Sequence, residues 1–321
     1  MTKAGMGYIV TETPLHCGVG QDIGVVDQPI QRERHTGYPI VYGSEIKGVL
    51  RDHCKGMEGI EKAFGPEPGK TGDTDSYAAA LSFGEAHVLF FPVRSVKGVR
   101  AWVTAPGALA KYQRSMERMG IDINIQCNVN GITVLLPDNS NHTYLANELA
   151  NKACVVNNEI TVLCGSDQLV VQENRIILED HVFKYRKDTC LQEVVRSLNV
   201  LLPANSKHAY LANELANKAC VVNDEYFKWF VQTGTEIVTR VRIDPNTGVV
   251  ARGALWTEEY VPTDTFLYFP VIDKDDNGRY MKSVKAEISK QPYLHIGGNE
   301  TVGKGFVRMA LYTHNEQEAG H

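Results

Sequence analysis

Hydrophobic and polar residues alternate along several stretches of the chain, and these patterns predict its strands. Residues 8–12 (YIVTE) indicate a short opening strand that ends before Pro14. Residues 81–93 (LSFGEAHVLFFPV) and 98–106 (GVRAWVTAP) indicate two buried strands joined by the turn RSVK. Residues 239–256 alternate apolar and polar positions around Asp-Pro-Asn-Thr-Gly, which predicts a β-hairpin.

Helical spacing is clearest in residues 43–54 (GSEIKGVLRDHC). There Ile46, Val49 and Leu50 form an apolar stripe, and Ser44 is the predicted N-cap. Near the end of the chain, a glycine-rich turn runs into another strand. Because strands and helices are mixed without a regular strand–helix–strand rhythm, we expect an α+β fold with antiparallel sheets.

Two segments, residues 134–159 and 200–225, differ at only four of their 26 positions. Two copies are too few for a solenoid, which needs about three stacked units. Their shared core, YLANELANKA, has Leu and Ala at helical spacing and predicts a helix with a structural role. A weak RNA contact through its Asn and Lys side chains is the alternative.

Composition limits the class of protein without identifying it. The chain has 321 residues, 43% of them hydrophobic and 22% charged, with a net charge of −5. This suits one elaborated domain or two small ones, and any basic surface must be local. The seven cysteines form no C-x-x-C pair, which argues against zinc knuckles and predicts free thiols. Without a leader or a long apolar run, the sequence predicts a soluble, cytoplasmic protein.

The predicted helix over residues 43–54 places Lys47 and Arg51 four residues apart and therefore on one face. Gly48, between them, allows a ligand to approach the backbone closely. Two cations near a helix N-terminus can hold phosphate. The alternative interpretation is an ordinary solvated amphipathic helix.

The segment GGNETVGKGF, residues 297–306, has four glycines within nine residues, together with Thr301 and Lys304. The backbone amides of such a loop can face phosphates. It lacks the Gly-Lys-Ser/Thr of a Walker A motif, and it precedes a strand rather than the helix of a dinucleotide fingerprint. A tight structural turn is the alternative.

A single carboxylate, Asp27, stands just ahead of a charged cluster in GVVDQPIQRERHTG, residues 24–37. Beside arginines it could act as a base or a metal anchor in a ribonuclease whose nucleophile is the RNA 2′-hydroxyl. The alternative is a loop aspartate that caps a turn. His16 in TPLHCG leaves the same choice open, since a lone histidine is usually an ordinary polar contact.

Taken in order along the chain, these motifs closely resemble the RAMP backbone subunits, the fourth Cmr subunits, of type III-B CRISPR effector complexes. The segments that carry the resemblance are TPLHCG, GVVDQPIQRERHTGYP, GSEIKGVLRDHC, LSFGEAHVLFFPVRSVKGVRAWVT, TEIVTRVRIDPNTGVVARGALWTEEYVPTDT and HIGGNETVGKGF. The resemblance covers roughly residues 8–105 and 172–312. It is weak over 121–166, where the first repeat copy lies.

The resemblance implies a modified RNA-recognition-motif (ferredoxin-like) palm with inserted fingers and a protruding β-hairpin thumb. It implies one RAMP domain over residues 1–321, with a palm at about 8–110 and 262–312. An inserted region that includes the repeated segment occupies about 111–236, and the thumb hairpin about 237–261. In this family, copies stack head to tail along the CRISPR RNA (crRNA), and each thumb displaces one nucleotide and kinks the guide–target duplex.

The resemblance also implies an endoribonuclease that cuts guide-complementary target RNA at regular intervals in antiviral defence. The implied activity requires a divalent metal ion, expected to be magnesium, and leaves a 2′,3′-cyclic phosphate. The implied partners are crRNA, target RNA, further copies of the chain and the other Cmr subunits. Those subunits are the large polymerase/nuclease subunit, the small subunit and the RAMP subunits that cap the crRNA ends. No membrane is implied.

Matching the motifs residue by residue places the family's catalytic aspartate, and a possible metal ligand, on Asp27. Residues near the cut site match His16, Glu258, Glu259 and Tyr260. The implied RNA contacts are Arg32, Arg34, His35, Ser44, Lys47, Arg51, Arg240, Arg242, Arg252, Gly297, Gly298, Thr301, Gly303, Lys304 and Gly305. Because base pairing reads the target sequence, we expect contacts to RNA backbone and duplex shape rather than to bases.

Three alternative functions remain open at this point. A catalytically silent crRNA-binding scaffold would keep the fold and lose the cutting, although the presence of Asp27 favours activity. A crRNA-processing RAMP nuclease normally has a histidine at its site, and the hairpin and the aspartate loop argue against it. A phosphate-cofactor enzyme built on GGNETVGKGF would need a strand–loop–helix context that the sequence does not predict.

Overall fold

The computed structural model describes residues 3–21, 24–66, 77–121, 126–129, 132–135, 161–188, 191–202 and 208–313. Strands and helices are mixed along these residues, so the predicted α+β class is confirmed. In these ranges no helix has the length and hydrophobicity needed to span a membrane. The predicted cytoplasmic location stays a prediction.

The strands follow the apolar runs of the sequence. They are β1 (Lys3–Thr11), β2 (Ile40–Val41), β3 (Leu81–Phe83), β4 (Ala86–Ser95), β5 (Val99–Thr104), β6 (Gln126–Val129), β7 (Ile132–Leu135), β8 (Thr161–Cys164), β9 (Arg175–Leu178), β10 (His181–Lys187), β11 (Ala219–Val221), β12 (Glu236–Ile243), β13 (Val250–Tyr260), β14 (Phe266–Asp273), β15 (Tyr293–His295) and β16 (Phe306–Thr313). The predicted opening strand is thus confirmed as β1, which begins five residues before Tyr8.

The helices lie between these strands. They are α1 (Gly43–His53), α2 (Ile60–Phe64), α3 (Pro106–Arg118), α4 (Leu191–Ser197), α5 (Ala209–Lys218), α6 (Asp224–Thr233) and α7 (Arg279–Lys290). Short 3₁₀ turns occupy Gln172–Asn174, Leu198–Val200 and Glu300–Val302. Helix α5 is the predicted helix of the second repeat copy. The helix predicted in the first copy, within residues 134–159, lies outside the described residues.

One large sheet organises the described residues, with the strand order β15-β16-β1-β14-β4-β5-β11-β8-β10-β9. Strand β2 pairs with β4, and β3 pairs with β14. Strands β12 and β13 form a separate two-stranded sheet, called the hairpin below, and this confirms the predicted β-hairpin. Among the strands that the structure describes, β6 and β7 pair only with each other.

The prediction of antiparallel sheets is wrong for two of the pairs. Strand β11 runs parallel to β5, and β10 runs parallel to β8. Each of these pairs is joined by a long connection, which is what a parallel crossover requires. The strands from the middle of the chain therefore extend the sheet beyond β5 in a mixed arrangement.

Buried side chains form two hydrophobic clusters, and strand β1 shows how the sheet separates them. Ile9 belongs to one cluster, together with Leu50 of α1. Tyr8 and Val10 belong to the other, together with Met116 of α3. Because alternate residues of a strand point to opposite faces, a strand covered on both faces reads as a continuous apolar run.

The prediction that Ser44 caps α1 is wrong. The helix begins at Gly43, so Tyr42 occupies the N-cap position and Ser44 lies inside the first turn. The Tyr42 carbonyl accepts hydrogen bonds from the Glu45 and Ile46 N–H groups at 3.0 and 3.2 Å. Gly43 packs so closely against β3 that a Cβ atom there would lie 2.4 Å from the Phe83 carbonyl oxygen, which explains why the helix starts at a glycine.

The predicted free thiols are confirmed for four of the seven cysteines. Cys17, Cys54, Cys164 and Cys220 are buried and unpaired by disulfides. A buried thiol behaves mainly as a small apolar side chain, so these cysteines contribute to the core.

Candidate functional site

The predicted site residues collect at the base of the hairpin, where the end of β13 is paired along both edges. On one edge, β12 places Val238 opposite Glu258. On the other edge, the Gln28 N–H donates to the Thr257 carbonyl, and the Glu259 N–H donates to the Gln28 carbonyl, both at 3.0 Å. The loop that carries Asp27 is therefore held against the hairpin like a short third strand.

Asp27 is exposed, and Thr257 fixes its carboxylate. The Asp27 Oδ2 atom accepts hydrogen bonds from the Thr257 N–H at 2.7 Å and from the Thr257 hydroxyl at 2.9 Å. The backbone N–H of Thr257, followed by its hydroxyl, lowers the pKa of Asp27 below its usual value. Within the part of the chain that the structure describes, the other oxygen, Oδ1, has no hydrogen-bond partner. Asp27 thus presents an ionised carboxylate with one oxygen free for a ligand.

Glu258 lies on the other face of the hairpin from Thr257, because neighbouring strand residues alternate. It is 3% exposed, and donors surround its carboxylate. Trp256 Nε1 donates to Oε1 at 2.7 Å, and the Tyr260 hydroxyl donates to Oε2. Arg240 Nε lies 3.7 Å from Oε2.

The electrostatics of Glu258 follow from these contacts. Burial raises the pKa of Glu258, but the hydrogen bonds from Tyr260 and Trp256 and the nearby charge of Arg240 outweigh it, so the pKa lies below its usual value. The carboxylate is therefore ionised at neutral pH. Because its oxygens already accept several hydrogen bonds, it is suited to fixing neighbours rather than to taking up a proton.

His16 is buried beside Tyr260, with the two ring centroids 5.4 Å apart. Its Nδ1 atom lies 2.7 Å from the Glu259 carbonyl oxygen. Since a carbonyl can only accept, Nδ1 carries the hydrogen and Nε2 of the neutral ring keeps a lone pair. Burial and the hydrogen bond to Glu258 raise the pKa of Tyr260 to about 12, so Tyr260 remains protonated at neutral pH. The His16 Nε2 atom is the candidate general acid–base of this cluster.

Glu259 and Arg32 hold the Asp27 loop in place. Glu259 is 6% exposed, and its carboxylate accepts hydrogen bonds from the Ile30 N–H at 3.1 Å and from Arg32 Nη2. Arg32 also donates to the carbonyls of Gly37 at 2.7 Å and Val231 at 3.1 Å. The catalytic role of Glu259 and the RNA contact of Arg32 stay predictions, while their contacts are those of positioning residues.

The other basic residues among the predicted RNA contacts differ in whether their polar groups are already bonded within the protein. In the described part of the chain, the charged groups of Arg34, Lys47, Arg242 and Arg252 make no ion pair or side-chain hydrogen bond. His35 is 78% exposed and lies 3.7 Å from Glu33. These side chains can all reach a ligand in solvent.

Arg51 lies on the same helix as Lys47 but is engaged. Its Nη1 atom donates to the carbonyls of Gly65 at 2.8 Å and Pro66 at 3.2 Å. Arg51 thus anchors the chain that follows α2, and its predicted phosphate contact remains untested. Ser44 is exposed at the first turn of the same helix.

The glycine-rich segment 297–305 packs directly on His16. At Gly297, where φ is +79°, a Cβ atom would lie 2.2 Å from the His16 carbonyl oxygen, and the Gly298 N–H donates to that oxygen at 2.9 Å. At Gly305, where φ is +77°, a Cβ atom would lie 2.2 Å from the Ile296 carbonyl oxygen. These two glycines are therefore required by close packing, whatever else they contact.

The other members of this segment face outwards or toward the hairpin. Gly303 adopts a φ of +77° with open space around it, and Thr301 is exposed. The Lys304 ammonium lies 4.9 Å from the centroid of the Tyr260 ring, which is cation–π geometry. The predicted phosphate segment and the predicted cut-site cluster are thus in contact.

No group of three or more His, Cys, Asp or Glu side chains is arranged to hold a metal ion within the described ranges. Asp27 offers one free carboxylate oxygen, whereas the Glu258 oxygens already accept hydrogen bonds. Magnesium commonly keeps most of its waters and binds one or two carboxylates plus a phosphate. Asp27 is therefore the residue that would hold a magnesium ion, and the described residues do not form a closed protein cage.

Comparison with known proteins identifies the family. A model of the RAMP superfamily matches residues 8–308. The chain belongs to the RAMP superfamily. Among proteins similar to this RAMP chain, "CRISPR system Cmr endoribonuclease Cmr4" of Pyrococcus furiosus is 38% identical, covering 96% of each chain. "CRISPR system CMR subunit Cmr4" of Saccharolobus solfataricus is 25% identical over 94% of each chain.

Solved RAMP structures have the same fold. A crystal structure of oligomeric Cmr4 from Pyrococcus furiosus superposes with a TM-score of 0.67 at 31% identity, covering 98% of this chain and 99% of that one. A chain from the cryo-EM structure of the type III-B Cmr-beta complex bound to cognate target RNA has a TM-score of 0.65, at 22% identity and 96% coverage of both chains.

Sequence reasoning missed two contact residues in this RAMP site. Thr257 fixes Asp27, and Asn299 donates from Nδ2 to Glu258 Oε2 at 2.9 Å. Thr257 immediately precedes Glu258, so its position next to the predicted cut-site residues was the available signal. For Asn299 the signal was its position in a glycine-rich turn, directly after Gly297 and Gly298. Asparagine is enriched in the left-handed backbone conformation that such turns use.

Proposed function

We propose that this chain is a crRNA-binding backbone subunit of a type III-B CRISPR effector complex and that it cleaves guide-complementary target RNA. The endoribonuclease from Pyrococcus furiosus, similar along almost the whole chain, supports this proposal. The observation that carries it is the Asp27 carboxylate, exposed at the hairpin base with one oxygen free. Two exposed residues nearby in sequence, the cationic Arg34 and the hydrogen-bonding His35, suit the passage of an RNA phosphate.

In the proposed reaction, the 2′-oxygen of a target nucleotide attacks its own 3′-phosphorus. The 2′-hydroxyl proton passes to a base, and the 5′-oxygen of the next nucleotide leaves and gains a proton. The products are a 2′,3′-cyclic phosphate and a free 5′-hydroxyl. Because its lowered pKa makes Asp27 a weak base, we assign it the orientation of the target RNA backbone at the hairpin base and assign proton transfer to His16 Nε2.

The remaining predicted catalytic residues support this arrangement. Ionised Glu258 holds the Tyr260 hydroxyl, and Tyr260 packs against His16. Glu259 accepts the hydrogen bonds that fix the Asp27 loop. We therefore assign Glu258 and Glu259 to positioning and Tyr260 to shaping the site around His16.

The proposed cofactor is magnesium. Asp27, through its free oxygen, is the residue that would hold the ion together with an RNA phosphate. The ion would neutralise negative charge that develops on the phosphate. Everything else in the mechanism rests on side chains of this chain.

We propose that the side chains of Lys47, Thr301 and Lys304 bind the guide backbone, in line with the expectation of contacts to RNA backbone rather than to bases. The predicted palm at about 8–110 and 262–312, with an insertion at about 111–236, is part of this proposal. So is the thumb role of the hairpin. Its exposed apolar residues on one face, Ile237, Val241 and Leu255, suit contact with a displaced nucleotide or a second copy.

The proposed partners are crRNA, target RNA, further copies of the chain and the other Cmr subunits. The oligomeric Pyrococcus furiosus structure and the target-bound type III-B complex support such an assembly by similarity of fold. A silent scaffold is the second candidate function. It is favoured only by the small number of groups at the site that could transfer a proton, because the carboxylates of Glu258 and Glu259 already accept hydrogen bonds. The crRNA-processing nuclease would share the histidine at the site, but the hairpin and the Asp27 loop argue against it.

The direct test is reconstitution of the complex with a defined guide and end-labelled complementary RNA. The proposal predicts a ladder of evenly spaced fragments. Each fragment should end in a 2′,3′-cyclic phosphate, which acid treatment opens to a monophosphate with a different gel mobility. Non-complementary RNA should remain intact. Tight binding of complementary RNA without fragments would instead establish the silent scaffold.

A further inference from the structure

Asn299 connects the glycine-rich segment to the Glu258 cluster. Its Nδ2 atom donates to Glu258 Oε2 at 2.9 Å and to the Tyr260 hydroxyl oxygen at 3.0 Å. No function is assigned to Asn299 by the motifs, because the segment's predicted contacts were its glycines, Thr301 and Lys304. Its side chain lies in the cut-site cluster, where it contacts Tyr260, the residue that Lys304 also contacts.

The chemistry of the cluster fixes how Asn299 is used. Glu258 is ionised and can only accept, and the Tyr260 hydroxyl has already given its hydrogen to Glu258. Both groups can therefore accept from a donor, and the Asn299 amide NH₂ lies within hydrogen-bond distance of both oxygens. An aspartate at this position would offer only acceptors, and its charge would oppose that of Glu258.

The backbone of Asn299 is adapted to this position. Its φ is +68°, in the left-handed region that asparagine and glycine tolerate. Its carbonyl accepts hydrogen bonds from the Val302 N–H at 3.1 Å and the Lys304 N–H at 3.2 Å. The turn that aims the Asn299 amide at Glu258 is thus the same turn that places the Lys304 side chain over the Tyr260 ring.

We infer that Asn299 is a positioning residue through which the guide-binding segment sets the orientation of Glu258 and Tyr260, so that guide binding and target cutting share one hydrogen-bond network. The inference rests on the proposed function and assigns a link within its site. Asn299 does not touch the reacting atoms. It acts through Glu258, whose other fixed donors are Trp256 and Tyr260.

Two substitutions isolate the amide from the backbone. Asn299→Gly removes the side chain while keeping the left-handed φ accessible. Asn299→Asp keeps the shape and places a second carboxylate against Glu258. Val302→Ala is the matched control, because Val302 is 50% exposed in the same turn and its apolar side chain cannot hydrogen-bond to Glu258 or Tyr260. We expect single-turnover cleavage to fall about tenfold for Asn299→Gly and further for Asn299→Asp, with guide affinity within about twofold of wild type.

A double-mutant cycle separates positioning from a general structural role. If Asn299 acts through Glu258, Asn299→Gly causes no further loss of cleavage in a Glu258→Gln background. Multiplying losses would overturn the inference, and so would wild-type cleavage by Asn299→Gly. A loss of guide binding equal to the loss of cleavage would overturn it as well.

A readout without cleavage makes the inference independent of the proposed function. The indole N–H of Trp256 donates to Glu258, so its NMR resonance in tryptophan-labelled protein reports the orientation of that carboxylate. The resonance, assigned with Trp256→Phe, should move in Asn299→Gly and stay in place in Val302→Ala. An unmoved resonance in Asn299→Gly contradicts the inference. A moved resonance with no cleavage by the wild-type complex contradicts the proposed function and leaves the Asn299 link supported.

Discussion

The carboxylate of Asp27 accepts two hydrogen bonds from Thr257, one from its N–H at 2.7 Å and one from its hydroxyl at 2.9 Å. These residues are 230 positions apart in the chain. The contact joins the loop that follows β1 to the base of the hairpin. It keeps the carboxylate ionised and in one orientation while leaving its second oxygen accessible.

Replacement of Thr257 by valine keeps the side-chain volume and removes the hydroxyl, while the backbone N–H remains. We expect the pKa of Asp27 to rise toward its usual value and target cleavage to slow by about tenfold. The loss should grow below about pH 5, where more of the Asp27 carboxylate becomes protonated in the variant. Thr257→Ser, which keeps the hydroxyl, is the control for single-turnover rates measured across pH. Equal rates for the valine and serine variants would show that the hydroxyl has no role.

Removal of Arg32 should destabilise the fold more than it affects RNA. Arg32→Ala leaves the buried Glu259 carboxylate without its ionic partner and removes the donors to the Gly37 and Val231 carbonyls. We expect a loss of about 3 kcal/mol in the free energy of unfolding, measured by denaturant titration. Arg34→Ala, which removes an exposed arginine without an ion pair in the described residues, should change it by less than about 0.5 kcal/mol. Similar values for the two variants would contradict the assignment of Arg32 as a positioning residue.

Glu33 should make the free energy of unfolding decrease as the pH becomes acidic. Burial raises the pKa of Glu33, but hydrogen bonds with His87, Lys111 and Thr36 outweigh it and lower the pKa to about 2. Because this value lies below that of the unfolded chain, Glu33 stabilises the fold fully above about pH 5. That contribution is lost as the pH falls through the unfolded value toward 2.

The Glu33→Gln variant tests this dependence. Its denaturant midpoint should fall less steeply than that of the wild type between about pH 5 and 3, because the amide has no proton to take up. Above pH 5 the variant should be the less stable protein. Parallel curves for the two proteins would show that Glu33 is not the group responsible.

Lys47 tests the proposed guide contact on α1 without disturbing the fold. Its ammonium group makes no ion pair within the described residues, so Lys47→Ala should leave the melting temperature unchanged. Guide affinity should fall, and the slope of its logarithm against the logarithm of salt concentration should decrease by about one per subunit. An unchanged salt slope would place the phosphate contact elsewhere. Arg51→Ala should differ by loosening the chain at Gly65 and Pro66, which Arg51 anchors.

Local patterns predicted much of the fold because local physics decides those elements. The alternation around Asp-Pro-Asn-Thr-Gly is sufficient for a hairpin, and the apolar stripe of Ile46 and Leu50 is sufficient for a helix. The prediction that Ser44 is the N-cap was wrong because a tertiary contact, the packing of Gly43 on β3, sets the start of the helix. The parallel pairing of β5 with β11 had no local signal, since it depends on where a long connection returns.

The sequence predicted which residues form the candidate site, but it did not predict which contacts each of them makes. The resemblance placed attention on Asp27, His16, Glu258 and Tyr260, and the structure brings the last three together. The resemblance could not show that Glu259 forms an ion pair with Arg32, or that Thr257 hydrogen-bonds to Asp27, because these contacts join distant parts of the chain. Side-chain orientation along β13 decides which of three consecutive residues faces which partner.

Asp27→Asn in the reconstituted complex tests the central claim most directly. The substitution keeps the size of an exposed side chain and removes its charge, so assembly and guide binding should remain at wild-type levels. We predict that the evenly spaced target fragments disappear while the complementary RNA stays bound. Fragments that form at the wild-type rate in this variant would contradict the account, because the reaction would then not depend on the carboxylate at the hairpin base.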